Sequence, residues 1–313
     1  MVTGEYLYCD VSYVQEKRYN RESMRLWIAL GAAFLSVALF ATAQVEKPAE
    51  QSAESPPLRN TGKPMIVDYH CGQEDIHLAG LSCTAEDPCP VFLELASVEA
   101  VGNRIYVAGN IHSSSTTLSS VLVSSDDAGK TWAEPHERIR LAGLDLIQFV
   151  DFENGWVGGE VQHPLPRDPF LLATGDGGKT WQARPIFAEP QFGSVVDFQF
   201  SSRTNGFLVI DRARTGESGR YELYETLNAG ETWMLRQTSE RLIEPMRASL
   251  NADWRMRADA ASKSYRVERR AGESWRSVAA FSVSLGVCKP PELAVPQPET
   301  APTTPQTPAP PGR

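Results

Sequence analysis

Apolar and polar positions along this 313-residue chain fall into short runs, not helical stripes. ELASVEAV (94–101), LIQFVDFE (146–153) and SVVDFQFS (194–201) are β-type runs bounded by turn residues. A second run follows each of them: NRIYVAGN (103–110), NGWVGGE (154–160) and NGFLVID (205–211) open on Asn and continue as apolar strands. Helical periodicity is almost absent outside residues 26–40, a nearly unbroken apolar run without charge. The pattern predicts an all-β protein.

A turn segment closes each unit. SDDAGKTW (125–132), TGDGGKTW (174–181), TLNAGETW (226–233) and ERRAGESW (268–275) share one pattern, and their tryptophans stand 49, 52 and 42 residues apart. The aromatic residues Tyr106, Trp156 and Phe207 precede Asp127, Asp176 and Asn228 by 21, 20 and 21 residues. Each unit therefore reads strand, turn, strand, loop, strand, turn segment, strand. That period fits one four-stranded propeller blade, whereas a β-sandwich does not explain the recurrence. The expected fold is a small β-propeller of four to five four-stranded blades over residues 65–288.

The turn segments carry the chemistry of a tight hairpin. An Asp or Asn side chain accepts bonds from turn N–H groups, Gly takes a positive φ, and the Trp leaves the hairpin to pack beneath it. Two copies are complete: Ser125, Asp127, Gly129, Thr131, Trp132 and Thr174, Asp176, Gly178, Thr180, Trp181. A third keeps Thr226, Gly230, Thr232 and Trp233 with Asn228 in place of the acid. The fourth keeps only Gly272, Ser274 and Trp275, with Arg270 where the acid stands.

These residues match the Asp-box (bacterial neuraminidase repeat) pattern. A GWVGG strand followed by T-x-D-G-G-K-T-W resembles the propeller family of the photosystem II assembly and stability factor, over residues 90–240. The resemblance implies a scaffold for protein partners without substrate turnover, and it implies that Asp127 and Asp176 are peripheral structural residues. That family has seven blades, and no arginine-rich partner surface is legible here, so a role in photosystem assembly does not transfer. Sialidases share the boxes but need an arginine triad, a Tyr/Glu nucleophile pair, an acid/base Asp and an Arg-Ile-Pro motif ahead of the first box. The only similar string, Ala183-Arg184-Pro185-Ile186, follows the second box. A glycoside hydrolase of sialidase type is the alternative to a binding module.

Charge and cysteines narrow the picture further. A net charge of −9 argues against wrapping nucleic acid. Met24-Arg25, the apolar run and Ala41-Thr42-Ala43 predict a signal peptide over residues 24–43, cleaved between Ala43 and Gln44. The run is short for a spanning helix and lacks a basic stop-transfer cluster, so no stable membrane anchor is expected after processing. Residues 1–23 make a poor n-region and read as an extension ahead of the true start. Residues 44–64 read as a flexible linker and residues 289–313, rich in Pro and Thr, as a disordered tail. An exported chain, periplasmic or extracellular, favours disulfides. Cys71, Cys83, Cys89 and Cys288 allow three pairings, of which Cys83–Cys89 and Cys71–Cys288 are expected.

No catalytic residue, metal site or cofactor is expected. His70, His77, His112, His136 and His163 show no metal-ligand spacing, and neither a G-x-S-x-G nor a P-loop string occurs. The partner expected is a protein or a cell-envelope glycan, met through loops such as residues 112–120 and 162–169. The strand around residues 65–68 is expected to complete the last blade.

Overall fold

The computed structural model describes residues 56–162, 168–213, 219–243, 252–284 and 286–289. The N-terminal extension, the signal sequence with its cleavage point, and the tail from residue 290 lie outside the described residues. The first described elements are β1 (Leu58–Arg59), β2 (Met65–Val67), helix α1 (Gln73–Leu78) and β3 (Cys89–Pro90).

Four antiparallel up-and-down sheets follow among the described residues, as blades of a small β-propeller. Sheet I contains β4 (Phe92–Val101), β5 (Arg104–His112) and β6 (Thr117–Ser125), and reaches β7 (Thr131–Trp132) through a bridge between Ser124 and Ala133. Sheet II contains β8 (Ala142–Phe149), β9 (Gly155–Val161), β10 (Asp168–Thr174) and β11 (Gln182–Pro185). Sheet III contains β12 (Ser194–Phe200), β13 (Gly206–Asp211), β14 (Tyr221–Thr226) and β15 (Met234–Ser239). Sheet IV contains β16 (Trp254–Asp259), β17 (Ser264–Ala271) and β18 (Ser274–Val283), and β19 (Val287–Cys288) then pairs with β3.

Sheet IV takes its outermost strand from the N-terminal part of the chain. Met65, Ile66 and Val67 pair in parallel with Phe281, Ser282 and Val283, the closure expected of this strand. The fourth turn segment lies between β17 and β18, where sheets I to III have the turn between their third and fourth strands. So β16 to β18 match the second to fourth strands of the other sheets, and β2 is an addition outside them. Among the described residues no strand lies inside β16.

Strands covered on both faces read as continuous apolar runs, and β5 is buried without interruption from Ile105 to Ile111. Among the described residues the buried side chains form three clusters, between sheets IV and I, I and II, and II and III. Aromatic pairs mark each junction: Trp132 edge-on to Phe281 at 5.0 Å, Tyr106 stacked on Phe149 at 4.3 Å, and Trp156 stacked on Phe200 at 3.6 Å. Each such pair adds about 0.5–1.5 kcal/mol beyond its burial. A side chain at Gly158 would stand 3.0 Å from the Phe198 ring, so the GWVGG strand lets sheet III approach sheet II. The far face of sheet III is different. Phe207 and Met234, both in register with Glu225, are 38% and 45% exposed.

Two disulfides, Cys83–Cys89 and Cys71–Cys288, pair these four of the five cysteines as expected. The second closes a separation of 217 residues, worth about 5 kcal/mol in the chain-entropy model. One expectation needs correction. The linker over 44–64 ends earlier than expected: Leu58 and Arg59 pair with Trp132 and Thr131, and Asn60 N–H donates to Lys130 O at 2.9 Å. Leu58 also packs on the cluster between sheets IV and I, so one apolar residue anchors a stretch whose prolines read as tether. Helix α1 was not anticipated. At six residues it is too short for a periodic signal.

Candidate functional site

The repeated turn segments behave as clamps. In the first, Asp127 Oδ1 accepts from the Ser125 hydroxyl and from the N–H groups of Lys130 and Thr131, each at 2.9 Å, while Oδ2 accepts from the Thr131 hydroxyl at 2.7 Å. Asp176 repeats the arrangement with Thr174, Lys179 and Thr180 at 2.7–3.0 Å. The donated bonds, led by the N–H of Thr131 and of Thr180, lower both carboxyl pKa values to about 2. At the third turn Asn228 Oδ1 accepts from the Thr226 hydroxyl and Thr232 N–H, while its Nδ2 donates to the Thr232 hydroxyl at 3.0 Å. The amide reverses one bond and gives up another, because Glu231 N–H donates to the Asn228 backbone carbonyl at 3.2 Å.

Each clamp is fixed from outside as well. Trp132 and Trp181 donate Nε1–H to Gly129 O and Gly178 O at 3.1 Å, whereas the buried Trp233 Nε1 has no hydrogen-bond partner among the described residues. The Tyr106 hydroxyl of sheet I donates to Gly177 O at 2.7 Å, and Trp156 Nε1 of sheet II donates to Ala229 O at 3.1 Å. The aromatics spaced before the acids thus brace the turn of the following sheet. Phe207, the third in the series, has no donor and lies on the exposed face of sheet III. At the first turn Asn60 takes the bracing role, donating Nδ2–H to Gly129 O at 2.8 Å and to Val278 O at 2.6 Å.

Gly129, Gly178 and Gly230 have φ between 77° and 89°, and a side chain at Gly178 would stand 2.6 Å from the Tyr106 ring. Before the glycine, Gly177 has φ +73°, while Ala128 and Ala229 hold φ +59° and +60° in the left-handed region. Backbone freedom is therefore used unequally across the copies.

The fourth hairpin departs from this scheme. Gly272 turns it with φ +66°, and the Ser274 hydroxyl donates to Ala271 O at 3.1 Å. Arg270, in the acid's place, donates Nε–H to Gly272 O at 3.3 Å. Trp275 is half-buried beneath the Arg255 guanidinium, 4.2 Å from its ring centre, instead of bracing a turn. Sheet IV also gathers Arg255, Arg257, Arg266, Arg269, Arg270 and Arg276. They divide between the two faces of the sheet, Arg269 and Arg276 on one and the other four on the other, where Arg255 and Arg266 pair with Glu268 and Asp259.

Two clefts occupy equivalent rim positions. One, of about 310 Å³, lies between the second turn and Ala229, and its lining includes Asp176, Arg184 and Arg203. Its cations are engaged: Arg184 donates to Ala229 O at 2.9 Å, and Arg203 pairs with Asp151 and Glu153 at 2.9 and 3.3 Å. The other, of about 580 Å³, lies between Ala128–Lys130 of the first turn and the β17–β18 hairpin. Lys130, Arg269, Arg270 and Arg276 line it, and among the described residues no carboxylate does.

The loops proposed from sequence contribute less. Thr117 to Ser120 belong to β6, leaving a short turn in which the N–H groups of Ser115 and Thr116 donate to Ser113 Oγ at 3.2 and 3.1 Å. Of the second loop, residues 163–167 lie outside the described residues and Asp168 opens β10. Among the described residues no group of His, Cys, Asp and Glu suits a metal ion, and no helix is long and apolar enough to cross a membrane.

No protein-family model matches the chain, and none of the curated proteins does. Solved structures give distant likenesses. The GH74 xyloglucanase from Xanthomonas campestris is 20% identical over 42% of this chain and 18% of its own, with a TM-score of 0.32. YCF48 bound to D1 peptide is 17% identical over 63% of this chain and 60% of its own, with a TM-score of 0.34. The endosialidase of phage phi92 is 10% identical over 62% and 48%, with a TM-score of 0.39. The chain spans less than two thirds of each of these proteins, and likenesses at this level carry no argument about ligand or reaction.

Proposed function

We propose that the protein is an exported, non-catalytic propeller that binds a protein or a cell-envelope glycan at its rim. One observation carries this reading. Asp127 and Asp176, the residues most suggestive of chemistry, turn their carboxylates into their own hairpins and titrate near pH 2. A carboxylate held this way is a poor general acid or base near neutral pH, because catalysis needs a pKa close to the working pH. Rigid clamped turns beside free rim charge suit a scaffold. The resemblance of the segments to Asp boxes and to assembly-factor propellers fits the same role. Two disulfides support passage to an oxidising compartment, periplasmic or extracellular.

The test uses the full processed chain. Saturable binding to a cell-envelope fraction, with no fluorophore release from a sialoside or other aryl glycoside, is the expected result. Glycoside turnover that disappears on substitution of a single arginine would overturn the reading in favour of the hydrolase.

A further inference from the structure

We infer that the cleft between Ala128–Lys130 and the β17–β18 hairpin is an oxyanion site for a phosphate-bearing group. The inference rests on the binding-module reading and names the chemistry of one ligand. Lys130, Arg269 and Arg276 line a cleft of about 580 Å³ in a protein whose net charge is −9, and Arg270 borders it from the hairpin, on the face it shares with Glu268. Arg269 and Arg276 stand directly opposite each other across the antiparallel pair. Like charges so placed repel, and an anion between them turns that cost into attraction. Among the described residues none of the four cations makes an ion pair.

The carboxylates nearby are engaged elsewhere. Asp127 is closed inside its turn, Asp126 lies 3.4 Å from Arg104, and Glu268 pairs with Arg255 at 2.7 Å on the opposite face of sheet IV. Glu273, at the hairpin tip, does not line the cleft. The walls are held in place. Asn60 bonds both Gly129 O and Val278 O, and the Arg269 guanidinium lies over Trp254, 5.6 Å from its centre.

The number of donors selects the ligand. A carboxylate brings one charge and two acceptor atoms, too little for Lys130, Arg269 and Arg276 together. A phosphate ester brings up to two charges and three acceptor oxygens, matching forked arginines and a point-charge lysine. Sugar stacking is disfavoured, because Trp254 and Trp275 each have a face covered by an arginine of the same sheet. The companion cleft shows the contrast: its arginines already hold carboxylates or a carbonyl.

The experiment is calorimetric titration of the full chain with sodium pyrophosphate at physiological ionic strength. Binding is expected, weakened about tenfold or more by Arg276→Ala and by Arg269→Ala, and less by Arg276→Lys. Arg203→Ala, in the companion cleft, should leave affinity unchanged. Absence of binding, or full affinity in Arg276→Ala, overturns the inference. So does tighter binding of polyglutamate or duplex DNA, which would mark a surface for acidic peptide or nucleic acid.

Vesicles distinguish the sources of the phosphate. Co-sedimentation with phosphatidic acid but not phosphatidylcholine, lost in Arg276→Ala, assigns a lipid headgroup. Sedimentation with neither, while pyrophosphate binds, assigns a soluble phosphate ester. If pyrophosphate fails while envelope binding persists, this inference falls and the binding-module reading stands. If glycoside turnover appears, that reading falls whatever pyrophosphate does.

Discussion

The hairpins at Asp176 and Arg270 hold the same place in their sheets and treat charge in opposite ways. At the first, a carboxylate is consumed by four donors of its own turn, and Tyr106 braces the turn from the preceding sheet. At the second, the acid is replaced by a cation that bonds one nearby carbonyl, and the hairpin borders a cleft without carboxylates among the described residues. The comparison separates two uses of one repeat. A clamp gains stability by hiding its charge; a rim hairpin that has lost the clamp can leave charge exposed for a ligand.

The tryptophans offer the strongest way to break that comparison. Trp181 is almost fully buried and hydrogen-bonded, so Trp181→Ala is expected to cost about 3–5 kcal/mol. Trp275 is half-buried against an arginine, so Trp275→Ala should cost about 1 kcal/mol. Urea unfolding of both variants checks the ranking, and equal losses would deny that the hairpins differ.

Acid tests the charge directly. Asp127 and Asp176 have folded pKa values of about 2, below their ordinary 3.8. Their contribution is complete above the unfolded value and disappears as pH falls from about 4 through 2. Asp127→Asn and Asp176→Asn together should flatten the fall in stability over that window, measured by thermal unfolding at stepped pH. Asn228 has no such titration, so Asn228→Ala should leave the slope unchanged.

The smallest effect concerns the backbone. Ala229 holds φ +60° where the second turn has Gly177. Ala229→Gly relieves that strain and should stabilise the protein by up to about 1 kcal/mol, offset in part by glycine's freedom in the unfolded chain. Gly177→Ala should destabilise by more, because its Cβ would stand 2.1 Å from Arg104 and 2.7 Å from Phe152 O. A rise in midpoint temperature for the first variant and a fall for the second would sharpen the equivalence of the turns.

Much of the frame was legible because its signals are local. The turn segments, the alternating short runs and the aromatic spacing place the strands of sheets I to III, and the position of Cys71 and Cys288 near the domain ends anticipates their pairing. The role of Tyr106 and Trp156 was only half legible. Their recurrence shows a repeated need, but bracing acts on the next sheet, about 70 residues away. Phe207 repeats the spacing without the function. The basic cleft was missed because Lys130 lies far along the chain from Arg269, Arg270 and Arg276. One signal was available: a hairpin turning at Gly272 sets Arg269 opposite Arg276. Asn60 gave no signal, since a single polar residue in a Pro-rich stretch reads as tether until its two carbonyl partners are seen.

The claim that the repeated acids are clamps is tested most directly by equilibrium urea unfolding of Asp176→Asn and Asp176→Ala beside the parent. Asn keeps the acceptor and is the residue found at the third turn, so it should cost less than about 1 kcal/mol near neutral pH. Ala strands four donors and should cost about 2–3 kcal/mol. Equal stability of all three proteins would contradict the account.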